Sequence, residues 1–138
     1  MSSISYQMGS DLDVDAVIEM LSATSLGVRR PLHDREAIIN MLRHANLIVT
    51  AWEGELLVGI ARSLTDFSFV AYLSDLAVRE SHQRQGIGRE LIRQTRAALG
   101  PAATLVLLSA PAAVDYYPQV GFTQHPSAWT LNANDPLL

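Results

Sequence analysis

Two glycines one residue apart, in Gln83-Arg84-Gln85-Gly86-Ile87-Gly88, separate an apolar run ending Leu76-Ala77-Val78 from an amphipathic run beginning at Ile87. That junction constrains the fold more than any other stretch. The residues before it have strand character, and Ile87, Leu91, Thr95, Ala98 and Leu99 after it mark one helical face. A strand that passes through glycines into a helix sets the helix's first turn at the end of a sheet. That turn presents backbone N–H groups without partners and the positive end of the dipole. With no side chains in the way, a diphosphate can approach those amides. Arg84 and Arg89 add charge, and Gln83 adds hydrogen-bonding capacity. The same glycines also suit a plain tight turn into a helix, and the spacing alone leaves both readings open. It is not the dinucleotide fingerprint, because position 91, where a third glycine would fall, is leucine.

The pattern on either side points to an α+β (mixed α/β) domain with a mixed central sheet and about four helices. Residues 3–8 alternate as a first strand. Ser10-x-x-Asp13 resembles a capping box ahead of a helix with Val14, Val17, Ile18 and Leu21 on one face. Asp34 is placed to cap a second helix with Ile38, Met41, Leu42 and Ala45 inward. Residues 47–52 and 56–61 flank Glu53-Gly54-Glu55 as a hairpin, and a turn at Thr65-Asp66 leads into a long strand over 69–78. The third helix stops at Gly100-Pro101, and 104–109 is a continuous apolar run suited to a strand covered on both faces. Pro111 opens a short helix that Pro118 closes, and two short strands around Phe122 and Trp129-Thr130-Leu131 finish the chain.

A chain of 138 residues, 49% apolar and 17% charged, is expected to form one domain over residues 1–138. Its apolar runs are far too short to span a bilayer, so no membrane partner is expected. Residues 1–9 lack a basic region and an apolar core of signal-peptide length, which argues against export. The absence of cysteine removes disulfides, thiolate catalysis and Cys-ligated zinc, and suits a cytoplasmic location. A net charge of −4 argues against a nucleic-acid partner. All ten basic residues are arginine, so neither Schiff-base chemistry nor a P-loop lysine is available. The four histidines have no metal-ligand spacing, and no metal is expected.

The stretch from Gln83 to Gly88 resembles the Q/R-x-x-G-x-G/A signature of the GNAT superfamily of acyl-CoA-dependent N-acyltransferases. Tyr116-Tyr117-Pro118-Gln119-Val120-Gly121-Phe122 resembles that family's F/Y-Y-x-x-x-G-F element, and the order of elements is similar along the whole chain. The resemblance implies an acetyl-CoA-dependent N-acetyltransferase using direct transfer in a ternary complex, with a small-molecule amine as acceptor. It implies that the strands 69–78 and 104–109 splay around the pantetheine arm. Main-chain groups of Leu76 and Val78, beside Ala77, would pair with that arm, and Gln83, Arg84, Gln85, Gly86, Ile87, Gly88 and Arg89 would hold the pyrophosphate. A homodimer is frequent in the superfamily. Two alternatives share the scaffold: a non-catalytic acyl-CoA-binding or regulatory module, and a peptide N-terminal acetyltransferase. Ala110 is a departure, since family members often carry an asparagine there that bonds the pantetheine arm.

Acyl transfer to an amine needs a base for the amine, donors for the oxyanion and a proton for the leaving thiolate. Tyr117 matches the family's thiolate-protonating tyrosine; its other reading is a ring packing a helix end. Asp75 stands out on its own, since aspartate is disfavoured in strands and a buried carboxylate needs a cleft or a partner. It is read as a base or anchor for the amine, or as a structural ion pair with an arginine such as Arg62. His82 is read as a surface or phosphate-contact residue. In a GNAT-like fold the acceptor pocket would be walled by residues 25–31 and the turn at Phe67. Val28, Phe67 and Tyr72 would give it apolar surface, and Arg29 and Arg30 would meet an anionic group or simply stay solvated.

Overall fold

The computed structural model describes residues 3–138; the first two residues of the segment read for an export signal lie outside it. The chain forms two compact bodies, one running to Leu108 and the other Ser109–Leu138. In the first, chain order is β1 (Ile4–Met8), α1 (Val14–Ser22), α2 (Arg35–His44), β2 (Leu47–Glu53), β3 (Leu56–Thr65), β4 (Val70–Val78), α3 (Ile87–Ala97) and β5 (Thr104–Val106). The strands form one sheet in the order β1-β2-β3-β4-β5. All pairs are antiparallel except β4–β5, the parallel pair joined through α3. Among the described residues no helix is long and apolar enough to cross a membrane.

Helix boundaries follow their caps. Asp34 accepts from the Ala37 N–H at 3.1 Å, as its position before an apolar stripe requires. The expected Ser10 box does not form. The first helix starts at Val14, Asp13 is its cap through the Asp15 N–H at 3.0 Å, and Ser10 bonds Leu12 through its main chain. Val17, Met20 and Leu21 of α1 and Ile38 and Leu42 of α2 pack with Ile48, Leu57, Ile60 and Ala77 on one face of the sheet. The opposite face is covered by Ile87, Leu91, Ile92 and Thr95 of α3. Gly59 permits the close approach there: a Cβ on it would meet Leu91 Cδ1 at 3.1 Å and Ala77 O at 3.3 Å. Gly59→Leu should therefore cost about 1–3 kcal/mol by overpacking. Urea denaturation checks this, and an unchanged midpoint would contradict the packing argument.

The register of β4 holds the feature that most affects the site. Arg62 faces Asp75, yet the next residue of β3, Ser63, faces Leu73. Ser74 is therefore an extra residue, a bulge that reverses the facing of the strand. Asp75 and Ala77 lie on the α1/α2 face with Arg62 and Ile60. Ala71 and Leu73 lie with Ser63 and Ala61 on the α3 face. An unbroken strand would have put all four of these β4 residues on one face.

The C-terminal third departs from expectation. β5 ends at Val106 and is exposed, half-buried, then exposed along its length, so it is not covered on both faces. The two final strands are absent among the described residues: Trp129 is 92% exposed and Asn132 closes a turn on Asp135. The strand preference of Trp-Thr-Leu needs a half-buried surface to express itself, and this segment has none. Pro118 does not end the short helix but sits inside it, in α4 (Tyr116–Gln119), where first-turn N–H groups have no helical partner to lose. What ends α4 is Gly121, at φ 102°. The Phe122 N–H reaches Tyr117 O at 3.0 Å and the Gly121 N–H reaches Pro118 O at 3.2 Å. These are the paired bonds of a Schellman closure. Its hydrophobic contact is the edge-to-face pair Tyr117–Phe122, with ring centroids 5.4 Å apart.

Candidate active site

The glycine junction is an open cradle. Arg84 and Gly86 both adopt left-handed backbone, at φ 64° and 80°, which turns the chain sharply into α3. The first helical bond runs from the Glu90 N–H to Gly86 O at 3.0 Å, so the N–H groups of Ile87, Gly88 and Arg89 have no helical partner. Nothing lies within 4 Å of where a Cβ on Gly86 would stand. Gln83, Arg84, Gln85 and Arg89 are exposed, while Ile87 is buried and anchors the turn. Glu90 would oppose an anion here, but its charge is engaged. Arg93 binds it twice at 2.7 Å and Gln94 once at 2.8 Å, and these bonds draw its pKa down to about 2.

The edge of β4 leads into that cradle. β5 pairs with Val70, Ala71 and Tyr72 alone, and among the described residues no strand pairs with β4 on that side further along. The Arg79 N–H bonds Val58 O on β3 at 2.7 Å. By strand alternation, Leu76 and Val78 turn their main-chain groups away from β3 toward the open edge, while Ala77 turns its own to β3. Gln83 Nε2 donates to Val78 O at 3.1 Å, joining the strand end to the cradle. His82 braces the preceding turn. Its Nδ1 lies 2.8 Å from Ser81 Oγ and its Nε2 3.3 Å from Glu53 Oε1, so both ring nitrogens are engaged within the protein.

Asp75 is held by two guanidinium groups. Arg62 Nε donates to Oδ2 at 2.6 Å and Arg30 Nε to Oδ1 at 2.7 Å, with the Asp75 side chain only 3% exposed. The ion pair with Arg62 is thus present, joined by a second arginine from the segment after α1. Both arginines also hold the bulge: Arg30 Nη2 donates to Ser74 O at 2.8 Å and Arg62 Nη2 to Ser74 Oγ at 2.9 Å. Each oxygen of this carboxylate thus accepts from a guanidinium N–H.

The acceptor-side residues do not all come together. Val28, 92% exposed, and Arg29 lie on the 3-10 turn Ser25–Arg29, which adjoins β4. Tyr72 is exposed on β4, three residues before Asp75. Phe67 lies apart, at the opposite end of β4 from the glycines. Its carbonyl accepts from the Gly100 N–H at 2.7 Å, and it lines a cavity of about 380 Å³ with Met8, Asn46 and Ala98. The parts missed in sequence are Arg30 as a clamp and Ser74 as a bulge. A pairing across 45 residues leaves no local signal, and a serine inside an alternating run does not announce an extra residue.

In the second body, Tyr117 sits on α4 between Tyr116 and Phe122, and burial, then the neighbouring Tyr116, raises its pKa above the usual 10. Among the described residues its hydroxyl has no hydrogen-bond partner.

Residues 23–132 match the family model described as an acetyltransferase (GNAT) domain. The chain belongs to the GNAT acetyltransferase family. It is 33% identical over 102 residues to the N-acetyltransferase ycf52 of Gracilaria tenuistipitata var. liui, a match covering 72% of this chain and 56% of that protein. The chain thus spans a little over half the length of that relative. A GNAT family acetyltransferase of Streptococcus pneumoniae TIGR4 superposes with a TM-score of 0.77 at 23% identity, covering 95% of this chain and 99% of the other. The aminoglycoside N-acetyltransferase AAC(6')-Iy, solved in complex with CoA, superposes at 0.74 with 12% identity and 97% coverage of both chains. At these identities the two structures show a common fold.

Proposed function

We propose that this chain is an acetyl-CoA-dependent N-acetyltransferase that acts on the primary amine of a small molecule by direct transfer in a ternary complex. The observation that carries this reading is the conjunction, within one body, of a β4 edge at Leu76 and Val78 that no strand among the described residues covers, and the amides that open α3 without helical partners. Coenzyme A fits both parts. Its amide-bearing arm finds main-chain donors and acceptors on a strand edge, and its diphosphate finds N–H groups, a positive dipole end and two exposed arginines. Leu76, Ala77 and Val78 would line the arm, and Gln83, Arg84, Gln85, Gly86, Ile87, Gly88 and Arg89 the phosphates. When bound, the thioester supplies an activated acetyl group with a thiolate as leaving group.

The protein's own residues divide the remaining work. The Leu76 N–H, turned toward the open edge, is the donor assigned to a developing oxyanion. The Tyr117 hydroxyl, kept protonated by burial, holds the proton for the departing thiolate. Asp75 anchors the acceptor-side segment through Arg30 and leaves the amine to lose its proton to water. The lack of cysteine, which leaves no thiol to form an acyl-enzyme, fits direct transfer.

Gly86→Asn tests the cradle. Asparagine tolerates left-handed backbone, so the turn is kept while a side chain enters the space now open. Calorimetric titration should show coenzyme A affinity reduced at least tenfold (~1.4 kcal/mol). An unchanged affinity would remove the diphosphate from this loop.

A further inference from the structure

We infer that the acceptor is a primary amine carrying a carboxylate and an apolar body, and that polycationic amines are disfavoured at this site. The inference rests on the acetyltransferase reading above and narrows it to a substrate class. Its first support is the facing set by the Ser74 bulge. Arg62 and Leu64 point to the same side of β3, their partners across β4 are Asp75 and Tyr72, and Val106 stands in register with Tyr72. The exposed apolar residues Leu64, Tyr72 and Val106 therefore continue the face that carries the Arg30–Asp75–Arg62 cluster.

Charge supplies the second support. Two guanidinium groups surround one carboxylate, so the cluster carries an excess positive charge, and Arg29, exposed beside Arg30, adds another. Asp66, the acid of the β3–β4 turn, spends Oδ1 on the amides of Ser68, Phe69 and Val70. Arg30 is not exhausted. Its bonds to Asp75, Ser74 O and Arg29 O use three of its five N–H groups, and its side chain stays 20% exposed. A guanidinium fixed on one side with free donors on the other is suited to a carboxylate. Arg30 also touches β4 two residues before Leu76, which sets that anion alongside the edge assigned to the reaction. A polyamine or aminoglycoside would bring positive charge to a corner already in positive excess.

The experiment is thiol release from acetyl-CoA by the whole chain with three kinds of amine. Phenylalanine and leucine carry the carboxylate, phenethylamine and isopentylamine lack it, and spermidine and kanamycin are polycations. The amino acids should show kcat/KM at least tenfold above their decarboxylated counterparts, with the polycations lowest. Arg29→Glu should cut the preference for phenylalanine over phenethylamine at least tenfold, with its melting temperature reporting that the fold is intact. Release led by spermidine or kanamycin overturns this inference and leaves the acetyltransferase reading standing. Release with none of the six overturns it as well. Absence of coenzyme A binding in calorimetry overturns the broader reading, and this one with it.

Discussion

Replacing Asp75 by alanine is expected to lower the stability of the protein by about 3–5 kcal/mol, because two largely buried guanidinium groups then lose their counter-charge. For a chain of this size that corresponds to a fall in melting temperature of about 10–20 °C. The size of the loss comes from what is left behind. Arg62 is 8% exposed, and its charge has no other carboxylate in contact among the described residues. The triple variant Arg30→Met, Arg62→Met, Asp75→Leu should recover most of the stability, since a cluster replaced as a unit by apolar side chains leaves no uncompensated charge. Asp75→Asn separates anchor from base. An anchor shows itself chiefly as lost stability and a raised KM for the amine. A base would show, besides the lost stability, a collapse of kcat at saturating amine under conditions where the variant is folded, and that result would reverse the role assigned here.

Tyr117→Phe should reduce kcat at least tenfold, equivalent to ~1.4 kcal/mol of transition-state stabilisation, while coenzyme A affinity changes little. The substitution keeps the ring contact with Phe122 that closes α4, so the helix end survives and only the proton is lost. The pH dependence has a definite sign. Burial raises the pKa of the phenol above 10, so the hydroxyl is protonated throughout the neutral range and the alkaline fall in kcat caused by its ionisation lies above pH 10. The folded state then holds this proton more tightly than the unfolded chain. Its contribution to stability is complete below pH 10 and declines as pH rises beyond it. A kcat for the phenylalanine variant equal to that of the parent would exclude Tyr117 from proton transfer.

The elements read in advance are those whose signal is local. Val17, Leu21, Ile38 and Leu42 repeat at helical spacing and are buried in α1 and α2, and the Glu53–Gly54–Glu55 turn joins two strands that pair across it. The glycine junction was legible for the same reason, since a strand, a turn and a helix start follow one another within 15 residues. Arg62 opposite Asp75 was within reach as a neighbouring-strand pair. Features that depend on distant chain were not. Arg30 meets Asp75 only because the segment after α1 folds over β4. The alternation of Ala71, Leu73, Asp75 and Ala77 continues unbroken through the bulge, so four buried positions look like one face when they are two. The strand pattern near Trp129 failed in the opposite way: local preference was present and the surface it needed was not.

That single surplus serine works as a parity change in the strand. With it, the end of β4 nearest β5 turns small and aliphatic residues under α3 and sends Tyr72 outward, while the other end offers a carboxylate to the helices on the far side. Excising Ser74 would restore even counting. It would leave Leu73 opposite Ser63 under α3 and Tyr72 opposite Leu64 facing outward, as they now stand. Straightening the strand with Ser74 kept in the ladder is what would swing the phenol toward the helix and drag Leu73 into the open.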